Sequence, residues 1–293
     1  MLSSIVLCLA LVAIVLLLVR ARRKLIHTTL LPAWSWTLVA AVAPGCVELA
    51  GYVNQASQTS LEPWRYAAAI LSLCPVVAQL GAKRPQHQPW NFIVVSLWGV
   101  LALPALENLV LQPGEALILS DARGYFLAGL LLIGPGNLLA TRFTFAALVA
   151  IAAQVVLLLP YLPFSSVQPS SFGVTTATVM WLTAILFAYV TPQPPAASTW
   201  DRLWLDFRDQ FGLLWGLRLQ ERVNTTAEQS GWNIELSWSG FVDRAEGKPL
   251  TDEQLSSIEN LPHNVRGLLR RFCTQEWISE RQPSGLQSDD LQA

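Results

Sequence analysis

Charge is what this sequence has least of. Charged residues make up 13% of the 293, about half the share of an ordinary soluble domain, and the shortage is uneven. From Met1 to Thr191 there are nine Lys/Arg and five Asp/Glu, a net of +4. From Pro192 to Ala293 there are ten and fifteen, a net of −5, and the two parts together give the −1 of the whole chain. An apolar part is therefore joined to a polar one. The polar part lacks the basic footprint of nucleic-acid binding, so no nucleic-acid partner is expected. Cysteine is scarce too: Cys8, Cys46, Cys74 and Cys273 show no CxxC spacing. That excludes a zinc ribbon or a disulfide framework and leaves buried thiols, or a Cys46–Cys74 contact between neighbouring helices. His27, His87 and His263 match no metal-ligand spacing. GxSxG, Walker, GxGxxG and HExxH motifs are missing as well. The sequence therefore points to no catalytic residue, no metal and no cofactor.

What the chain does have is long apolar runs, and a helix needs about 20 apolar residues to cross a bilayer. The runs predict an all-α polytopic membrane bundle of about seven transmembrane helices, over 3–19, 34–53, 64–82, 90–111, 124–140, 143–162 and 173–190, within a membrane domain at 1–191. Basic residues sit in alternate gaps: Arg20, Arg22, Arg23 and Lys24 after the first run, Lys83 and Arg84 after the third, Arg142 after the fifth. Cytoplasmic loops collect Lys and Arg, so the alternation predicts an N-terminus outside and a C-terminus inside a plasma (inner) membrane. The first run has no basic segment before it and a basic cluster after it, which reads as an uncleaved anchor rather than a signal peptide. The fifth run is interrupted by Gly134-Pro135-Gly136, where a missing amide and a loose turn predict a kink.

A Pro-rich linker at 192–198 leads to a cytosolic α+β domain at 199–281 and a disordered tail at 282–293. Thr199 is placed to cap a long helix with Trp200, Leu203, Trp204, Phe207, Phe211, Leu214 and Trp215 on one stripe. That stripe is read as the core of the domain, with a lie along the inner membrane surface as the other reading. Arg202 and Asp206 are spaced as an i,i+4 pair, and Gly231 marks the helix stop. Trp232, Ile234, Leu236 and Trp238 alternate with polar residues as one strand. Thr251 with Gln254 resembles a capping box, and Pro262 opens a further helix.

Ionisable groups within apolar runs are functional candidates. Glu48 in the second run and Glu107 in the fourth lie at similar depth near the outer end, with Asn108 beside the latter. They are read either as an outward-facing ion or proton site, or as carboxylates paired with Arg65 or Arg123 at the same level. The five acids of the apolar part, Glu48, Glu62, Glu107, Glu115 and Asp121, all fall on the outer half, a field that favours cations. Gln79, Asn137 and Gln154 are the deeper polar groups. Asn137, next to the kink, is suited to satisfying freed carbonyls or to an interhelical hydrogen bond.

The stretch from Leu73 through Cys74-Pro75 and Gln79 to Pro85, and that from Gly136-Asn137 through Arg142 to Thr144, resemble segments of uncharacterised bacterial multipass inner-membrane proteins. The resemblance implies a bacterial inner membrane and carries over no functional residue. The function expected is a non-enzymatic scaffold or assembly factor in the lipid bilayer, offering its cytosolic domain to a protein partner. The alternative is a small-solute or cation transporter using Glu48 and Glu107. A lipid-processing enzyme would need a nucleophile or metal site that the sequence does not offer.

Overall fold

The computed structural model describes residues 2–86 and 88–281; His87 and the segment 282–293 lie outside them. The apolar part is a bundle of helices α1 (Leu2–Arg22), α2 (Leu31–Val53), α3 (Gln58–Ile70), α4 (Cys74–Leu80), α5 (Trp90–Leu111), α6 (Asp121–Ile133), α7 (Thr144–Leu158) and α8 (Ser171–Val190). Among the described residues, five helical stretches are long and apolar enough to cross a membrane: Ser3–Arg22, Leu31–Val53, Trp90–Leu111, Thr144–Tyr161 and Ser171–Val190. The third and fifth of the seven expected runs are helical but broken, each at a proline.

In the third run, Pro75 has no amide proton to give the Leu71 carbonyl. The Cys74 amide takes that carbonyl instead, tightening Leu71–Leu73 into a 3-10 turn between α3 and α4. Gln154 of α7 donates to the Ser72 carbonyl at 2.5 Å. In the fifth run α6 stops at Ile133, and Gly134–Leu138 continues as a 3-10 segment. At the first break another helix thus supplies a hydrogen bond, the condition for irregular backbone in apolar surroundings; at the second, the Thr141 hydroxyl donates to the Leu138 carbonyl.

The helices alternate in direction, which sorts their ends into two sets. At one end lie the loops with Arg22–Lys24, Lys83–Arg84 and Arg142; there Trp34 Nε1 donates to the Leu18 carbonyl at 2.8 Å and the Tyr189 hydroxyl to Leu17 at 2.6 Å. At the other end lie the acids, and Ser3 Oγ meets Thr175 Oγ1 at 3.2 Å. The outward faces are apolar. On α1, Leu7, Leu11, Ile14 and Leu18 are buried while Ile5, Leu9, Val12, Leu16 and Val19 are more than half exposed. A stripe of that kind has no place against water and fits hydrocarbon.

The polar part is built on α9 (Thr199–Gln229), the hairpin β1 (Ile234–Ser237) and β2 (Gly240–Asp243), and three short helices: α10 (Asp252–Ser256), α11 (Leu261–Leu269) and α12 (Gln275–Ser279). Ser198, not Thr199, caps α9, accepting from the Asp201 amide at 3.0 Å. Thr199 instead binds Asp252 through both its amide and its hydroxyl. Trp200, Leu203, Trp204, Phe207 and Phe211 are buried in one core with Leu236, Phe241, Leu255, Val265 and Trp277. The strand expected around Ile234 has an antiparallel partner, β2, paired Ile234↔Asp243 to Ser237↔Gly240. At Gly240, φ is +144, and a Cβ would meet the Asp201 carboxylate at 2.5 Å. Thr251 and Gln254 form the full capping box.

α9 is not one uninterrupted helix. Gly212 has φ +79 and ψ −170, a conformation that is essentially glycine's own. The break resets the helical phase. Beyond it Trp215, Leu219, Val223 and Ala227 are buried, and Leu214, expected on the buried stripe, is 46% exposed. A Cβ at Gly212 would lie 2.4 Å from the Asn137 side chain. Gly212→Ala is therefore expected to cost about 1–3 kcal/mol in backbone strain, with the clash against Asn137 added, lowering the thermal unfolding midpoint in mild detergent; an unchanged midpoint would contradict this account of the break.

Candidate functional site

Two polar constellations stand out, one at each end of the bundle. At the acidic end Glu48 of α2 and Arg65 of α3 are both buried, 6% and 4% exposed. Arg65 Nε meets Glu48 Oε1 at 2.5 Å and Nη2 meets Oε2 at 2.9 Å, a two-pronged pair. The remaining guanidinium donors reach Gln58 Oε1 at 2.6 Å and Ser171 Oγ at 3.1 Å, so one side chain ties α2, α3 and the start of α8. A planar five-donor fork suits such a junction. Nothing about Gln58 or Ser171 singled them out in the sequence beyond their place in the first turn of a helix.

Glu107 does not join this group. It lies 3.5 Å from Arg123, both about half exposed, a surface pair that contributes little. Asn108 is buried and donates to the Glu115 carbonyl at 3.2 Å, holding the loop after α5. Among the described residues, no hydrogen bond or ion pair links Glu48 to Glu107. Each carboxylate of the expected pair has its own arginine.

At the basic end the polar part is bonded to three loops of the bundle. The break at Gly212 lies beside the Gln210 and Phe211 carbonyls and the Leu214 amide, and all three are bonded to side chains of the bundle. Asn137, from the Gly134–Leu138 segment, donates to the Phe211 carbonyl at 3.2 Å and accepts from the Leu214 amide at 2.9 Å. Gln79 of α4 donates to Gln210 and Phe211, both at 3.3 Å, and its own carbonyl accepts from Trp215 Nε1 at 3.0 Å. Trp238, in the hairpin turn, donates to the Ala140 carbonyl at 2.8 Å. Asp209, 1% exposed, receives Arg208 at 2.7 Å and Arg142 at 3.4 Å.

The other two loops add backbone bonds. The Thr29 amide donates to Phe272, the Thr274 amide to His27 and the Arg84 amide to Arg271, at 2.8–2.9 Å. The Thr29 hydroxyl donates to the Ala82 carbonyl. Leu30 and Ala82 belong to the same apolar core as α9. The first half of α9 is thus covered on both faces, and its acids are buried rather than solvated. Asp206 pairs with Arg281 at 3.0 Å, not with Arg202, whose guanidinium caps the Pro194 carbonyl of the linker. Burial pushes the Asp201 carboxyl above the usual carboxylate range, offset in part by the Phe241 amide and Ser198. Burial also pushes the Cys273 thiol up, leaving it unreactive. Cys46 is exposed, Cys74 is buried, and both are free.

No family model matches the chain, and neither a curated protein nor a solved structure resembles it closely enough to count as a match. Function has to be argued from geometry.

Removing one member of a buried ion pair strands the other, at about 3–5 kcal/mol, while replacing both by apolar residues is often neutral. Glu48→Leu and Arg65→Met are each expected to lower the unfolding midpoint sharply, and the double variant to recover most of the loss. Additive losses would contradict the pairing. At the opposite end, Asn137→Ala strands one carbonyl and one amide and is expected to cost about 1–3 kcal/mol. Faster limited proteolysis near 192–198 would report it, and an unaltered cleavage rate would argue against the clamp.

Proposed function

We propose that the protein is a multi-pass, non-enzymatic scaffold or assembly factor of the inner membrane, whose C-terminal domain is held rigidly at the cytoplasmic face for a protein partner. One observation carries this reading: the domain is bonded to all three basic loops, so it is displayed in a fixed orientation rather than tethered. Lys and Arg cluster in those same loops, which supports an inner location for that end. Two broken crossings, α3–α4 and α6 with its 3-10 extension, added to the five long helices, would make seven, an odd number as an outside N-terminus and an inside C-terminus require. The broken segments have enough length only in combination, which fits helices packed within protein rather than against lipid.

The transporter reading asks for a carboxylate free to bind a cation. Glu48 is neutralised and enclosed, and Glu107 sits at the surface beside Arg123. Neither the cleft at the basic end nor the apolar groove of about 450 Å³ between α2 and α3 is lined by either carboxylate. The geometry therefore favours the scaffold.

Photo-crosslinkers placed at the exposed Glu235 and Glu246 of the full chain in cells are expected to capture the same protein at both sites, lost on reversing nearby charge. Liposomes holding the full chain are expected to pass no more cations than empty ones. Flux that Glu107→Gln abolishes would establish the transporter instead.

A further inference from the structure

The second half of α9, with Lys83 and Arg271, forms a cleft of about 270 Å³ that the clamp leaves open. Four cations line it: Lys83 from the loop after α4, Arg218 and Arg222 one turn apart on α9, and Arg271 after α11. Glu221 is its one acid. Arg218, Arg222 and Arg271 are exposed and Lys83 is half-buried. Among the described residues none of the four is ion-paired to a carboxylate, whereas Arg65, Arg142, Arg208 and Arg281 are. Arg218 lies over the Trp215 ring at 5.1 Å, which holds its guanidinium at the mouth. Like charges at i and i+4 repel, so four cations facing one acid leave the cleft with an excess of positive charge. The floor is apolar, built from Trp215, Leu219 and Phe272.

The cleft's position indicates where the anion comes from. Trp215 is bonded to Gln79 at the end of α4, so the cleft opens at the level where the bundle meets the polar part. On the same helix, Leu214, one turn before Arg218, and Leu217, next to it, stand 46% and 48% exposed. Among the described residues of the polar part, they are the large apolar side chains left exposed. Leucines beside a basic cleft at a membrane boundary match the two layers of a lipid, chain next to headgroup.

We propose that this cleft binds the phosphate headgroup of an anionic phospholipid, with Lys83, Arg218, Arg222 and Arg271 around the phosphate and Leu214 and Leu217 in the acyl layer. The inference rests on the membrane reading but not on the scaffold role. It gives the domain a second attachment, to the bilayer itself.

The test uses the full chain in nanodiscs of phosphatidylcholine with one-fifth phosphatidylglycerol, released and weighed by native mass spectrometry. The wild type is expected to retain phosphatidylglycerol in preference to phosphatidylcholine. The combined variant Arg218→Gln, Arg222→Gln, Arg271→Gln is expected to lose that preference at least about tenfold. Arg244→Gln with Lys248→Gln, which removes two cations outside the cleft, is expected to leave it intact. Since the three arginines are exposed, the midpoint of unfolding serves as the check that the variant is folded. A wild type that enters the disc without lipid preference overturns the inference alone. Failure to enter any disc overturns the membrane reading and this inference together. Calorimetric binding of glycerol 3-phosphate, lost in the triple variant while lipid retention is unchanged, would assign the cleft to a soluble phosphate and overturn the lipid.

Discussion

The structure depends on one requirement: a backbone hydrogen-bonding group exposed by a break in a helix must find a partner where water is excluded. Gly212 opens α9 in the middle of a buried face, and the backbone groups beside the break are answered by two side chains of the bundle, Asn137 and Gln79. Those two residues are presented by the places where the bundle itself is irregular, the 3-10 segment at Gly134–Leu138 and the short helix after Pro75. The breaks in the two parts satisfy one another. A straight α9 would have no use for Asn137, and a regular fifth helix would not deliver it.

The same logic separates the two ends. At the acidic end the cost of burying charge is met locally, by a two-pronged Glu48–Arg65 pair with Gln58 and Ser171 on its remaining donors. Such a pair contributes little net stability against an apolar replacement but penalises any packing of α2, α3 and α8 that separates its members. It works as a register pin rather than as a place for a travelling ion. At the basic end the charges are divided: Asp209 collects Arg142 and Arg208 inside the joint, while among the described residues the cations of the open cleft are ion-paired to no carboxylate. One set fastens the domain, and the other is free to meet an anion.

How far this was legible in the sequence differs by element. Composition and run length were enough for the helical, membrane-compatible character of the first 190 residues, because apolar runs of about 20 residues match the thickness of a bilayer and are rare in water-soluble chains. The capping box at Thr251 and the stop near Gly231 were legible because each is a local hydrogen-bonding pattern. Arg65 and Arg123 were recognisable as partners for Glu48 and Glu107 from their matching depth. The joint was not legible. Asn137 and Gln79 are single amides whose partners lie more than seventy residues away. The Gly212 break hid inside an otherwise regular apolar stripe, which is why Leu214 was expected on the wrong side. The second strand has adjacent apolar residues, Phe241 and Val242, and a turn at Trp238-Ser239 without the usual Asn-Gly signal. The spacing of Arg202 and Asp206 suggested a local pair, because nothing local indicates that Arg281 reaches Asp206 instead.

The central claim is that bundle and C-terminal domain form one rigid body. The most direct measurement is the distance distribution between spin labels at Gln88, in the loop before α5, and Glu246, in the loop after β2. The exposed Cys8 and Cys46 would be replaced by serine, and the chain held in a lipid bilayer. A rigid joint predicts a single narrow distance that broadens in Asn137→Ala. A broad distribution in the unaltered joint, as from a domain swinging on the Pro-rich segment, would contradict it.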